Sequence, residues 1–321
     1  MLPLPHSPPK STNRENLRRV RRRTLSVLSR YGEFSGDLSA WWRVLIECGE
    51  DDVPVLDGQV GQAGSAGDFE AVFVTESGVE RRVPWEWLPE VIGELGRPAR
   101  SFPSYRGQRK FPGWYWSSTM GRRIGFESWV ERDHLVTLDF DASVVRIVSQ
   151  PFWLLWPHGG KQRRHAPDFL VSSADGGVLV LDSRPQELIG ERDREAFEAT
   201  GRACAVLGWR HAVWDRLDGV VVANQKWLAG YRHPRCFDEL VAARLLEVFQ
   251  RPRPLVDGAE LVGDPLGTLP VLYHLMWKQL LVADLSVVLS HRTVVRCAPQ
   301  VANLARVANL ADELAATGRR A

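Results

Sequence analysis

Two aspartates and one arginine lie close together in the sequence, where they could bind a metal ion and a phosphate. Asp168 follows a proline at the start of an apolar run, and Asp182 and Arg184 lie two positions apart near the end of the next run. Residues 174–177, Ala-Asp-Gly-Gly, favour a tight hairpin turn between the two runs. Because strand side chains alternate between faces, Asp182 and Arg184 should point the same way. Pairing of the two strands would bring Asp168 beside them.

Carboxylates at the end of a buried sheet need a compensating group, because unpaired buried charge is costly. A bound divalent metal ion is one such group. The alternative is that Asp168 is a turn residue after proline and that Asp182 and Arg184 form a surface ion pair, since turns and loops favour these residue types.

A helix is predicted over residues 126–140, which show an imperfect apolar helical stripe. Glu127 and Glu131 lie at positions i and i+4, on one face of this helix. Like charges repel mildly at that spacing unless a cation or solvent compensates them. The alternative is a solvated acidic face with Arg123 or Arg132 nearby.

Further elements follow in a regular order. Residues 144–148 are β-branched and predict a strand that ends at Gln150-Pro151. Residues 191–206 predict a helix, and residues 209–215 predict another strand. The predicted order is therefore helix, strand, strand with the first aspartate, strand with the second aspartate, helix and strand.

This ordered set resembles the PD-(D/E)XK nuclease superfamily and, within it, the TnsA-like endonuclease subunits of heteromeric transposases. The matching positions are Glu131, Gln150-Pro151, Pro167-Asp168-Phe169-Leu170 and Asp182-Ser183-Arg184-Pro185. Counting back from Val144 assigns the helical glutamate of the family to Glu131, with Glu127 as the alternative. The likeness covers residues 120–216, about a third of the chain. No single motif is specific, and the order of the motifs carries the resemblance.

One position departs from the family pattern, because Arg184 stands where the superfamily usually has lysine. Arginine does not give up its proton in proteins and cannot act as a general base. It can still stabilise the charge that develops on a phosphate during phosphoryl transfer. The substitution leaves open that the site has lost its catalytic activity.

The resemblance implies a cofactor and a set of roles. Carboxylate oxygens suit Mg²⁺ or Mn²⁺, so Asp168 and Asp182 would be direct ligands. Glu131 would bind a second metal ion or orient a water molecule, and Arg184 would contact the phosphate. We expect these four residues to be catalytic.

Contacts with the DNA backbone are expected from cations near the proposed metal site. The candidate DNA-binding residues are Lys161, Arg163, Arg164, His165, Arg122, Arg123 and Gln150. A single histidine such as His165 can equally serve as a packed structural residue.

Composition bounds the class of protein. A chain of 321 residues predicts two or three domains. The four cysteines are widely spaced, without a Cys-x-x-Cys pair, which argues against a zinc site and is typical of a reducing compartment. No signal peptide or membrane span is predicted, so we expect a cytoplasmic, nucleoid-associated protein. Net charge is only +2, but residues 14–30 hold seven arginines and could follow a phosphate backbone or form a disordered solubilising tail.

We predict an α/β protein with a PD-(D/E)XK restriction-endonuclease-like core, a mixed sheet flanked by helices. The predicted domains are a basic arm at 1–33, an accessory α/β module at 34–100, the nuclease domain at 101–218 and a winged-helix-like domain at 219–321. Within these domains, residues 68–84 alternate like a hairpin, residues 238–249 and 269–281 have helical periodicity, and residues 280–289 and 293–297 favour two short strands.

The resemblance implies hydrolysis of phosphodiesters at the 5′ ends of a transposon in double-stranded DNA. It also implies two partners, a DDE-type transposase subunit and an AAA+ ATPase regulator, and no membrane. Two alternatives stay open. One is a stand-alone restriction- or repair-type nuclease, and the other is a catalytically inactive DNA-binding scaffold subunit.

Overall fold

The computed structural model describes residues 68–102, 111–299 and 301. The predicted basic arm at 1–33 lies outside the described residues. So does the first half of the predicted accessory module, up to residue 67.

The described residues divide into two compact units. The first comprises residues up to 232 together with 285–288, and the second comprises 233–284 together with the residues from 289. The expected boundary between residues 218 and 219 precedes a helix that belongs to the first unit.

The first unit begins with the hairpin predicted at 68–84, which is confirmed. Its strands are β1 (Glu70–Thr75) and β2 (Glu80–Pro84), which pair antiparallel. The turn contains Gly78 at φ +86°, a left-handed conformation that glycine adopts without steric cost.

A sheet grows around β1. A one-turn helix, α1 (Leu88–Val91), leads into β3 (Leu95–Arg97), which pairs with β1. A hairpin that the sequence pattern does not predict, β7 (Trp153–His158) with β8 (Lys161–His165), joins the same sheet through β7. The sheet order is β2-β1-β7-β8, which leaves β8 at an edge.

The helix predicted at 126–140 is confirmed with a later start. Residues 113–126 form a separate hairpin of β4 (Gly113–Ser117) and β5 (Arg122–Phe126), and α2 then runs over Trp129–Phe140. Ser128 caps α2, because its hydroxyl accepts a hydrogen bond from the backbone N–H of Glu131 at 3.2 Å.

A second sheet holds the residues of interest. Its elements are β6 (Val144–Ser149), β9 (Phe169–Ser173), β10 (Val178–Ser183), α3 (Glu191–Val206) and β11 (Arg210–Trp214). The strand order is β11-β10-β9-β6, with β11 parallel to β10 and the other pairs antiparallel. Each of these elements was predicted within a residue or two, and the mixed α/β class with helices beside the sheets is confirmed.

The two larger sheets of the first unit contribute to one apolar core. Val148, Leu170 and Val180 form a row across β6, β9 and β10, and they pack with α3 and with residues of the N-terminal hairpin. Trp85 is fully buried there, and its indole N–H donates to the carbonyl oxygen of Ala203 on α3 at 2.6 Å. Helix α4 (Gly219–Ala229) packs against α2 in the same unit.

The second unit combines short helices with a small sheet. Its elements are α5 (Glu239–Val248), β12 (Arg253–Pro254), α6 (Leu255–Glu260), α7 (Pro265–Trp277), β13 (Leu281–Val282) and β14 (Val294–Cys297). Both predicted helices are confirmed, although the strand expected over 280–289 is only two residues long. The sheet order is β12-β14-β13. Among the described residues, no helix has the length and apolar character needed to cross a bilayer.

Candidate functional site

Three polar residues, Gln150, Asp168 and Asp182, lie in one row across the neighbouring strands β6, β9 and β10. The preceding row consists of Ser149, Phe169 and Leu181. Gln150, Asp168 and Asp182 form the next row in the same register. The backbone N–H of Gln150 donates to the carbonyl oxygen of Asp168 at 2.8 Å. The side-chain oxygen Oδ2 of Asp168 accepts the backbone N–H of Ser183, next to Asp182, at 2.7 Å. The expected proximity of the two aspartates is therefore present.

The alternation of strand side chains assigns the two aspartates of this row to one face of the sheet. The apolar row two residues away, with Val148 on β6 and Val180 on β10, packs against α3, so Asp182 faces the same helix. Ser183 faces the other way, and its hydroxyl lies 2.8 Å from Nδ1 of His134 on α2. A single face of the sheet thus carries the carboxylates of β9 and β10.

Asp182 is held between two histidines. Nε2 of His165 lies 2.8 Å from Oδ1, and Nε2 of His211 lies 2.9 Å from Oδ2, while the aspartate itself is buried. Burial alone would raise the pKa of Asp182, but the charge and hydrogen bond of His165 and the hydrogen bond of His211 outweigh it and lower the pKa to about 2. Asp182 is therefore an ionised carboxylate in a buried position.

His165 has a matching shift. Burial alone would lower its pKa, but the charge of Asp182 and the hydrogen bond to it raise the pKa above the ordinary value of 6.5. The rings of both histidines pack against Phe197 on α3, with centroids 5.8 Å from His165 and 6.3 Å from His211. His165 was expected to contact DNA, and in the structure its imidazole orients Asp182.

Arg184 lies on the same strand end, but its guanidinium contacts the start of α3. Its Nη2 donates to Oδ2 of Asp193 at 3.1 Å, and its Nε donates to the carbonyl oxygen of Leu188 at 3.2 Å. The side chain is 38% exposed, so solvent and ligands can reach it.

Glu131 is buried at the start of α2, where its carboxylate accepts hydrogen bonds from the two residues before the helix. Oε1 accepts the hydroxyl of Ser128 at 2.9 Å, and Oε2 accepts the backbone N–H of Glu127 at 2.7 Å. A glutamate at this position satisfies donors that a helix start leaves without intrahelical partners. Glu127, the alternative, is also buried, and it receives two hydrogen bonds from Arg100 at 2.7 and 3.0 Å.

Gln150 has the least usual environment in the row. Its side chain is 1% exposed, and within the part of the chain that the structure describes neither Oε1 nor Nε2 has a hydrogen-bond partner. Its φ angle of 45° is left-handed, which is uncommon for a residue with a side chain. A buried amide without partners costs about 1–3 kcal/mol per unsatisfied group, so its retention requires an explanation.

The predicted DNA-binding cations lie on strands. Lys161, Arg163 and Arg164 are exposed along the edge strand β8. The guanidinium of Arg164 lies over the ring of Trp153 at 4.5 Å, and Nε of Arg163 lies 3.4 Å from Oε1 of Glu195. Strand β8 ends at His165, which contacts Asp182, so these cations precede a residue of the polar row's surroundings on the same strand.

The two remaining cations of that set lie on β5. The guanidinium of Arg122 is 2.6 Å from Oε1 of Glu76 in an exposed ion pair, and Arg123 is exposed one residue further. Arg122 and Arg123 therefore lie on a different strand from the cations of β8.

The row has the chemistry of a site for a hard divalent cation. Asp168 and Asp182 supply carboxylate oxygens and Gln150 an amide oxygen, which are ligands that Mg²⁺ and Mn²⁺ accept. The buried amide, which has no partner among the described residues, is the observation that favours binding of a cation here. In the described part of the chain, no group of three or more histidine, cysteine, aspartate or glutamate side chains is arranged around a metal position.

Sequence reasoning missed two residues of this neighbourhood, His211 and Arg100. His211 reaches Asp182 because β11 pairs parallel to β10, a long-range pairing that no local motif signals. Arg100 is the last residue of the predicted accessory module and was not among the predicted site residues. The backbone N–H of its neighbour Ala99 donates to the carbonyl oxygen of Gln150 at 2.8 Å, which ties that segment to the row.

The resemblance to PD-(D/E)XK nucleases rests on the order of motifs along the sequence alone. Neither a family model nor a curated protein matches this chain.

Proposed function

We propose that this chain is a metal-dependent DNA endonuclease whose active site is the row of Gln150, Asp168 and Asp182. The observation that carries the proposal is the row itself, two aspartates side by side on one face of a sheet and, next to Asp168, a buried amide that has no partner in the described ranges. Apart from the inserted hairpin β7–β8, the order of helix and strands along residues 129–214 is the order that the resemblance implies, and it supports the same conclusion.

Each residue of the row has a role in this proposal. Asp168 and Asp182 hold Mg²⁺ or Mn²⁺, which when bound polarises the scissile phosphate and promotes attack by water. His165 and His211 keep Asp182 ionised and fix its orientation, as residues behind a metal ligand commonly do. The guanidinium of Arg184 stabilises negative charge on the phosphate.

The cations of β8 would guide the DNA backbone. Lys161, Arg163 and Arg164 are exposed on an edge strand whose last residue, His165, contacts Asp182. Cations in such an arrangement hold phosphates by salt-dependent contacts that carry no sequence information. Backbone contact next to the row would align one phosphodiester with the metal site.

The biological setting is proposed from the sequence resemblance alone. In it the chain cuts the 5′ ends of a transposon, a DDE-type transposase subunit processes the 3′ ends, and an AAA+ ATPase regulates both. The second unit has the element order helix, strand, helix, helix, strand, strand, which is that of a winged helix. We propose that it docks on DNA or on one of these partners.

Cleavage of supercoiled plasmid by the full-length chain with Mg²⁺ or Mn²⁺ tests the proposed reaction. We expect nicking or linearisation that Asp168→Asn and Asp182→Asn each reduce at least a hundredfold. Asp175→Asn is the matched control, because Asp175 is an exposed turn residue of the same hairpin whose carboxylate accepts only a local N–H in the described contacts. Cleavage at equal rates by all three variants would contradict the proposal. Retained DNA binding without any cleavage would favour the scaffold alternative.

A further inference from the structure

Gln150 is fixed in place by its backbone and not by its side chain. Its N–H donates to the carbonyl oxygen of Asp168, and its carbonyl oxygen accepts the N–H of Ala99, both at 2.8 Å. These two bonds hold the residue at its left-handed φ of 45°. The side-chain amide is not needed for this anchoring, because neither of its polar atoms has a partner.

The backbone of Gln150 lies next to the two aspartates. Gln150 and Asp168 are direct neighbours across β6 and β9, and Asp168 and Asp182 are neighbours across β9 and β10. Facing residues on adjacent extended strands have Cβ atoms about 4.5–5.5 Å apart, so the carboxylates of Asp168 and Asp182 are within reach of one shared ion. The row therefore offers three oxygen-bearing side chains from three consecutive strands.

Hydrogen bonds already made by the aspartates do not prevent a shared cation. Each carboxylate oxygen has two lone pairs, so Asp182 can keep His165 and His211 while one oxygen also binds an ion. The glutamate that the family resemblance would supply is engaged elsewhere, since Glu131 accepts hydrogen bonds from the start of its own helix. The amide oxygen of Gln150 can therefore serve as a ligand, whereas the carboxylate of Glu131 is already engaged in hydrogen bonds.

We propose that the side-chain carbonyl oxygen of Gln150 is the third protein ligand of the divalent cation bound by Asp168 and Asp182. This inference rests on the proposed function, because it assumes the same metal site. It assigns the ligand to a strand residue in place of Glu131. The unsatisfied amide is then explained, because its oxygen is satisfied when the ion is bound.

Binding of Mn²⁺ alone to the full-length chain, without DNA, tests this assignment by titration calorimetry. Gln150→Leu removes the amide and keeps a similar volume. We expect Mn²⁺ affinity to fall at least tenfold, and the melting temperature without metal to stay the same or rise, because an unsatisfied buried amide has been removed. A structural glutamine would show the opposite pattern.

Gln225→Leu provides that structural comparison. Gln225 is buried in the same unit, and its Oε1 accepts the hydroxyl of Thr137 at 2.6 Å. We expect this variant to melt at a lower temperature and to bind Mn²⁺ as the wild type does.

Gln150→Glu keeps an oxygen at the same place and serves if the leucine variant does not fold. We expect Mn²⁺ to bind at least as tightly as in the wild type, because a carboxylate oxygen replaces the amide oxygen. Loss of Mn²⁺ binding in Gln150→Glu, or unchanged affinity in Gln150→Leu, would overturn the assignment.

The outcome for Asp168→Asn separates this inference from the proposed function. If that variant loses Mn²⁺ and Gln150→Leu retains it, the metal site stands and the third ligand is wrong. If the wild type itself binds no Mn²⁺, both proposals are wrong.

Discussion

The two faces of the four-stranded sheet treat their buried polar groups differently. On the face toward α2, His134 uses both ring nitrogens, Nδ1 with the hydroxyl of Ser183 at 2.8 Å and Nε2 with the carbonyl oxygen of Asp215 at 2.7 Å. On the face toward α3, Asp182 is held between two histidines, and among the described residues the amide of the neighbouring Gln150 has no partner.

We take this difference to distinguish buried polar groups that stabilise the fold from buried polar groups that bind a ligand. A fully satisfied buried network adds rigidity and specifies a single packing, as at Asp139, whose carboxylate accepts the hydroxyls of Tyr115 and Ser117 and the backbone N–H of Thr119. A buried group left unsatisfied lowers stability and persists where a ligand completes it. We therefore expect substitutions on the α2 face to change stability alone, and substitutions on the α3 face to change ligand binding.

The largest effect is expected at Asp182. Asp182→Ala leaves His165 and His211 without their common acceptor, and breaking a buried charged pair in this way lowers the free energy of unfolding by about 3–5 kcal/mol. Urea denaturation measures this loss, and metal titration of the folded variant should show no Mn²⁺ binding. Intact Mn²⁺ affinity in the folded variant would remove the basis for separating the two faces.

A smaller loss is expected from the satisfied face. His134→Ala leaves the Ser183 hydroxyl and the Asp215 carbonyl without their partner, so we expect the free energy of unfolding to fall by about 2 kcal/mol. The same urea experiment measures it. Mn²⁺ affinity should equal that of the wild type, and a tenfold weaker affinity would show that the faces are not independent.

Acidification should affect the two faces in opposite directions. The raised pKa of His165 stabilises the fold below its ordinary pKa of 6.5, and this contribution is lost as pH rises through the folded pKa. Burial lowers the pKa of His134, so stability falls when pH drops below 6.5 and the unfolded chain takes up the proton.

Unfolding curves between pH 8 and pH 5 with a chelator present measure this contrast. Relative to the wild type, His165→Gln should lose more stability on acidification and His134→Gln should lose less. The lowered pKa of Asp182 keeps its own contribution intact down to about pH 4, because that contribution fades only between the ordinary value of 3.8 and about 2. Identical pH profiles for the two variants would contradict these assignments.

The smallest effect is expected from Arg184→Lys. The positive charge is retained at the edge of the row, so plasmid cleavage should survive with a modest loss, while the two hydrogen bonds to Leu188 and Asp193 weaken. A rate assay with the wild type as reference measures this. Complete loss of cleavage would mean that the fork geometry of the guanidinium is essential.

Local patterns were sufficient for much of the fold. Helical periodicity gave α3 over Glu191–Val206 with both ends correct, and the Asp-Gly turn placed Asp168 beside β10. Such features depend on residues close in sequence. The hairpin β7–β8 was missed because its strands are stabilised by pairing with β1, more than eighty residues earlier.

The same limit applies to the candidate site. His211 contacts Asp182 through a parallel pairing that follows a whole helix, and no spacing rule gives that register. Burial of the Gln150 amide without a partner is a property of packing, so the sequence could suggest the residue but not its environment. Glu131 matched the family position, yet in the structure it satisfies the start of its helix.

An anomalous difference map from crystals of the full-length chain soaked in Mn²⁺ would test the central claim most directly. We predict a peak on the α3 face of the sheet, within bonding distance of side-chain oxygens of Asp168, Asp182 and Gln150. A map without a peak on this row, from crystals in which Mn²⁺ can reach it, would contradict the account.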